Sequence, residues 1–382
     1  MNKHILTLLA VTLLVFTLVA CQASTSAFMP PPPSTVIPPE LISELDAMLS
    51  ELAKQALFTG SVLIACQGDV LLSQGYGLAD REKNILNTAQ TRFRLASITK
   101  QFTAMAILIL EAEGKLNVKE PISNYIVDCP STWEAITIDH LLTHTSGIPD
   151  FTGFRDYRST QAIPSSPEQT IARFKDLPLD FQPGEKWSYS NSGYVVLGYI
   201  IERASGQSYE EFLKQSIFIP LNLRDTGYDH NSNGLAVGYP NQYSTLPAEF
   251  IDMSIPYAAG ALYSTVEDLY RWEQALSTEQ LVPQAYLDQM FAPHVAIPDY
   301  AIPEEYVGQA LSYDGGWAYG YGWFIGTERG RPILTHRGDI EGFSTIIARY
   351  PDEQVTLIVL SNQQNNTAAI IHVLSTKIFG YN

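Results

Sequence analysis

Between Ile98 and Glu113 the chain carries Phe102, Met105, Ala106, Ile107, Leu108, Ile109 and Leu110, so apolar side chains cover nearly every face of the helix they form. A helix with no side left for water must run through the centre of a protein and be walled on all sides. Gly114 just past its end is the residue that most easily takes a left-handed cap. The material for the walls stands at the two ends of the chain. Ser61 to Cys66 and Val70 to Gly75 are β-rich runs around Gln67-Gly68-Asp69, a hairpin signature. Tyr319 to Ile325, Ile333 to Arg337, Ser344 to Tyr350 and Val355 to Leu360 are further β-like segments separated by turn residues. From about Leu116 to Pro256 the text changes to short helical patterns with proline and glycine stops. The expected fold is therefore mixed α/β (α+β): one antiparallel sheet built from both chain ends, flanked by helices, with an inserted all-helical region over about 116–256. The flanking helices include an amphipathic one over 41–56, read from Leu41, Leu45, Met48, Leu49, Leu52 and Ala56, and a closing one over 368–379.

A chain of 382 residues that is 46% hydrophobic and 16% charged has the apolar material for a large core, which excludes a disordered protein. Its net charge of −17 repels phosphate backbones and excludes nucleic acid as a partner. Three cysteines without a CxxC pair supply neither a disulfide framework nor a zinc site, and no spacing favours a bond between Cys66 and Cys129. At the start, Lys3 precedes an almost unbroken apolar run from Ile5 to Ala20, and Leu18-Val19-Ala20-Cys21 resembles the lipobox of bacterial lipoproteins. Residues 1–21 then read as a lipoprotein signal peptide with Cys21 lipidated, although an uncleaved anchor or an ordinary signal peptide would also export the domain. Residues 22–39, rich in Ser, Thr, Ala and Pro, read as an extended tether. The folded domain follows over 40–365, closed by a helical segment at 366–382. The expected location is the outer face of a bacterial membrane, held by the lipid, with the oligomeric state open.

Ser97 and Lys100 open the apolar helix, and a spacing of three sets hydroxyl and amine on one helical face. Burial and the positive helix end disfavour a charged lysine there, so a neutral amine can assist deprotonation of the serine. Ser97 alone also reads as a helix N-cap. In Trp187-Ser188-Tyr189-Ser190-Asn191-Ser192-Gly193-Tyr194, Tyr189 and Asn191 point the same way if the backbone is extended, offering a phenol to relay a proton and an amide to hold the lysine or a substrate. The alternative is a cap with a packed tyrosine. His336-Arg337-Gly338 ends a strand, where Gly338 allows close approach to the backbone and the Asp339 and Ser97 amides can form an oxyanion hole.

In this order the three motifs resemble the serine β-lactamase and penicillin-binding-protein superfamily, in its class C β-lactamase-like serine hydrolases. The resemblance spans roughly Phe58 to Asn362, including Phe93-Arg94-Leu95-Ala96-Ser97-Ile98-Thr99-Lys100-Gln101-Phe102-Thr103 and Leu141-Leu142-Thr143-His144-Thr145-Ser146-Gly147-Ile148-Pro149-Asp150. It implies that Ser97 is acylated, that Lys100 and Tyr189 manage protons, and that Asn191 supports them, with no cofactor. β-Lactamases and penicillin-binding proteins usually carry a lysine where this chain has His336, and an often neutral imidazole binds a carboxylate less well. Esterases and D-amino-acid peptidases of the family commonly show the His-x-Gly form. The expected function is an exported serine hydrolase acting through an acyl-enzyme on a small ester, amide or D-amino-acid peptide. The alternatives are a β-lactamase or D,D-carboxypeptidase, and a sensor or scaffold that is acylated without turnover.

Other signals fail on their own chemistry. His140 and His144 are four apart without the glutamate of a metalloprotease helix, and Asp229 to Gly234 begins like a calcium loop whose twelfth position is Pro240. No GxSxG occurs, against an α/β-hydrolase.

Overall fold

The computed structural model describes residues 35–231, 234–298, 316–364 and 367–380. The signal segment 1–21 with Cys21, and the tether as far as residue 34, lie outside the described residues. Chain order gives β1 (Gly60–Cys66), β2 (Asp69–Tyr76), β3 (Leu78–Asp80), β4 (Ile85–Leu86) and β5 (Phe93–Arg94), then β6 (Gly227–Tyr228) and β7 (Leu262–Ser264). It ends with β8 (Val295–Ile297), β9 (Trp317–Tyr319), β10 (Phe324–Glu328), β11 (Arg331–Ile340), β12 (Phe343–Tyr350) and β13 (Val355–Ser361). Eight of these form one antiparallel sheet in the order β2-β1-β13-β12-β11-β10-β9-β8, so the two chain ends meet where β1 pairs with β13. The β1–β2 hairpin closes through Gln67 (φ 54) and Gly68 (φ 89), the pair of positive φ values that matches strand twist in a two-residue turn.

β1 and β13 are buried along their whole length, which explains apolar runs without polar alternation. Alternate residues serve two cores. Val62, Ile64, Leu357 and Val359 pack with Leu45 and Leu49 of the N-terminal helix (Pro39–Lys54) and with Ile371 and Leu374 of the C-terminal helix (Thr367–Ile378). Leu63, Ile358 and Leu360 face the central helix (Thr99–Ala112), whose residues from Thr99 to Leu110 are all buried. Each such aliphatic or aromatic side chain contributes about 1.5–3 kcal/mol on burial.

The structure departs from expectation in five places. The N-terminal helix starts at Pro39, suited to a first turn, and stops before Ala56, whose φ of 58 ends it. Packing begins ahead of residue 40, because Ile37 is buried in the core of the terminal helices. The Tyr319–Ile325 run is two strands broken by a turn, since a β-carbon on Gly322 (φ +76) would crowd the backbone of Lys100 and Gln101. The inserted region is not all-helical: β6 within it joins β5 and β7 in a small sheet through Tyr263 and Leu262. Finally, the closing helix ends at Ile378 rather than Phe379. Cys66 and Cys129 are unpaired.

Candidate active site

The approach to Ser97 is fixed from both sides. Leu95 N donates to Leu262 O at 2.8 Å, and Thr345 on β12 donates its hydroxyl to Leu95 O at 2.8 Å. Ala96, buried with φ 47, then turns the chain through the left-handed region into a 3₁₀ turn (Ala96–Ile98) that leads into the central helix. Ser97 caps nothing; its Oγ lies 3.1 Å from Lys100 Nζ.

Lys100 has no exposure to water. Nζ donates to Asn191 Oδ1 at 2.9 Å and to Ala259 O at 2.8 Å, which in a neutral amine leaves the lone pair for the Ser97 hydroxyl. Burial lowers its pKa to about 7, opposed by the charge of Asp150. Tyr189 is pushed the other way: burial raises its phenol well above the usual range, opposed by its hydrogen bond with Ser97. It therefore stays protonated at neutral pH and can pass a proton without holding a charge.

Tyr189 and Asn191 are held by a splint drawn from residues 144–152. His144 O accepts from Ser188 N at 2.9 Å, and His144 Nδ1 accepts from Ser190 N at 3.1 Å. That bond puts the imidazole proton on Nε2, and the ring packs against Tyr189 with centroids 4.3 Å apart. Asp150 Oδ1 accepts Asn191 N at 3.1 Å and Asp150 Oδ2 accepts Asn191 Nδ2 at 3.3 Å. Ser190 Oγ caps the helix Asn191–Ser205 by accepting Gly193 N, so the capping reading holds for Ser190 while its neighbours reach the site. None of His144, Asp150 or Ala259 received a role from the sequence; the string 141–150 signalled kinship and nothing about contacts.

Two expectations at the third motif need correction. Gly338 admits the protein's own backbone rather than a substrate: a β-carbon there would overlap Leu95 O and come within 2.8 Å of Ser97 N. His336 is 1% exposed, with both nitrogens engaged inside the protein. Nδ1 lies 2.7 Å from Arg337 O, an acceptor only, so Nδ1 carries the proton and Nε2 accepts the Tyr319 hydroxyl at 3.0 Å. Burial, with the charge of Lys100, lowers its pKa to about 3, so the imidazole is neutral and turned from any substrate carboxylate. Arg337, also buried, pairs with Asp339 at 2.8 Å, facing away from His336 as strand alternation requires.

The cleft over Ser97 has a volume of about 290 Å³, lined by Ser97, Phe151, Tyr157, Asn191, Gly260, Asp339 and Glu341 among others, with no lysine or arginine among the described residues that line it. Glu341 also lines a larger adjoining groove of about 920 Å³. Ser97 and Asp339, the proposed oxyanion donors, both border the cleft. Among the described residues no cluster of His, Cys, Asp or Glu is arranged to hold a metal ion.

Residues 45–372 match the family model described as Beta-lactamase. The chain belongs to the beta-lactamase family. Like the family's penicillin-binding proteins, it is a serine hydrolase by membership and fold. It is 33% identical over 360 residues to penicillin-binding protein 4* of Bacillus subtilis (strain 168), covering 88% of this chain and 76% of that protein. Among solved structures, the octameric penicillin-binding protein homologue from Pyrococcus abyssi superposes with a TM-score of 0.75 at 28% identity, over 89% of this chain and 78% of that one. The D-amino acid amidase from Ochrobactrum anthropi SV3 shares the fold, with a TM-score of 0.73 at 21% identity over 89% and 98% of the two chains.

Proposed function

We propose that this serine hydrolase forms an acyl-enzyme on Ser97 and acts on a small ester, amide or D-amino-acid peptide that carries no carboxylate beside the scissile bond. What carries the assignment is the Lys100 amine, buried, tied at two donors and facing the Ser97 hydroxyl. Ser97 Oγ attacks the substrate carbonyl carbon while its proton passes to Nζ. The carbonyl oxygen becomes an oxyanion between the Ser97 and Asp339 amides. The proton returns through the Tyr189 hydroxyl to the leaving atom, which departs as an alcohol or amine. Water then attacks the acyl ester, its proton taking the same path to Lys100, and Ser97 is regenerated with release of the acid.

The substrate class rests on charge. Among the described residues lining the cleft the charged ones are Asp339 and Glu341; His336 is neutral and buried, and the Arg337 guanidinium is neutralised by its pair with Asp339. A substrate carboxylate beside the scissile bond would meet no lysine or arginine among the described residues that line the cleft. The test is kcat/KM for a short-chain p-nitrophenyl ester, a D-alanyl amide and a chromogenic cephalosporin, with Ser97→Ala as the blank. The ester or amide should lead the cephalosporin by at least about tenfold, the scale of one charge-assisted contact. A cephalosporin preference would reverse the substrate assignment.

Export and lipid anchoring, proposed from Lys3, the run Ile5–Ala20 and Cys21, predict palmitate labelling in a bacterial host that disappears in Cys21→Ser. Labelling that persists in that variant would remove Cys21 as the anchor.

A further inference from the structure

Asn191 meets Lys100 through an amide, and an amide has a donor end and an acceptor end. Which end faces the lysine decides whether the site works. With Oδ1 inward it accepts an N–H of the amine and leaves the nitrogen lone pair for Ser97. With Nδ2 inward, its N–H would donate to that same lone pair and quench the base. The amide cannot choose by itself. On its outer side stand Asp150 Oδ2 at 3.3 Å and Thr152 Oγ1 at 3.3 Å. Thr152 has already spent its hydroxyl proton on Asp150 Oδ2, 2.7 Å away, so it offers Asn191 an acceptor, and a carboxylate offers nothing else. Both outer neighbours thus demand the NH₂ end. Asp150 Oδ1 anchors the backbone of the same residue by accepting Asn191 N at 3.1 Å.

Resting on the acyl-enzyme reading above, we propose that Asp150 is a positioning residue: its carboxylate locks the Asn191 amide with Oδ1 on Lys100 and so keeps the lysine lone pair directed at Ser97. Asp150 also bears on the amine electrostatically, since its charge favours the protonated form against burial. The groups around the amine are Ser97, Tyr189, Tyr194, Asn191 and the Ala259 carbonyl; the lysine's charge helps keep His144 and His336 neutral, and Asp339 acts on Tyr189. Among the described residues Asp150 is the carboxylate that acts directly on Lys100.

The test is the rate at which a fluorophosphonate labels Ser97, followed from pH 5 to 10 by intact mass, in the full chain. In Asp150→Asn the new amide turns its oxygen to the Asn191 and Thr152 backbone N–H groups and its NH₂ to Asn191 Nδ2, donor against donor, which drives Asn191 to flip. The labelling rate should fall about 10- to 100-fold, the scale for a misplaced catalytic group, and the acid limb should move to lower pH because the carboxylate is gone. Combining Asp150→Asn with Asn191→Asp restores a donor opposite an acceptor. That swap should recover most of the rate, with the acid limb now above the wild type's because a carboxylate touches the amine. The limb shifts follow from charge, whereas the loss of rate and its recovery follow from the orientation of the Asn191 amide, so a purely structural role would leave the swap as slow as the single variant. The proposal is overturned if Asp150→Asn labels at the wild-type rate, or if its loss is not recovered by the swap. Should the single variant lose its fold, the labelling rate of the swap variant decides, near wild type supporting the lock and a loss of about 10-fold or more overturning it. Wild-type protein that never labels at Ser97 would instead remove the nucleophile itself, an outcome distinct from any behaviour of Asp150.

Discussion

An amine with no access to water adds its own pH dependence to the protein's stability. Lys100 titrates at about 7 when folded against 10.5 ordinarily, so between those values the unfolded chain binds more protons than the folded one. The contribution of Lys100 to stability therefore rises with pH across that window, and its burial cost is felt in full below about 7, at about 1.4 kcal/mol per pH unit of the window. In denaturant titrations at pH 6.5, 8 and 9.5, wild type should gain on Lys100→Met as pH climbs. A constant difference would mean that Lys100 stays charged in the folded state. Ser97, Lys100, Tyr189 and Asn191 were legible because three motifs in that order resemble those of a known family; spacing alone left Ser97 open to a capping role and Tyr189 to simple packing. Asp150 and Ala259 were not, because they act from 41 residues before Asn191 and 159 residues after Lys100. His336 was found but misplaced: its residue type suggested a substrate contact, whereas its neutrality comes from Arg337 O and the Tyr319 hydroxyl.

At the scale of elements, the site depends on how closely β11 approaches the turn that bears the nucleophile. Gly338 permits that approach, and Gly322 does the same for the β9–β10 turn against the start of the central helix. Gly338→Ala puts a methyl group into Leu95 O and against Ser97 N, both backbone atoms with little freedom to yield. The expected cost is about 1–3 kcal/mol in stability, with a loss of Ser97 labelling of about 100-fold, measured by thermal unfolding and by probe kinetics. Unchanged labelling would show that the nucleophile turn does not depend on this contact. The long apolar strands were readable because they are buried on both faces. The break after Tyr319 was hidden, since aromatic residues on either side of Gly320 and Gly322 look like one continuous strand until the helix behind them is seen.

For the molecule as a whole, the sheet is the middle layer, and the helices of both chain ends cover one face while the central helix and its surroundings cover the other. That arrangement follows from β text at both ends and an all-round apolar helix after the first hairpin, which left few other places to put them. The short strand β6 escaped because two residues leave no periodicity. The consequence for function is that Ser97 stands where β11, the central helix and the inserted region converge, the helix and the inserted region bringing the proton-handling groups and the strand bringing Asp339 to the cleft. The measurement that tests this most directly is acylation of the protein during turnover of a p-nitrophenyl ester, quenched at several pH values and mapped by peptide mass. A single acyl group should appear on Ser97, at a rate that climbs through about pH 7 and then levels as Lys100 loses its proton. An adduct on another residue, or a rate still climbing at pH 10 as for an ordinary lysine, would contradict the account.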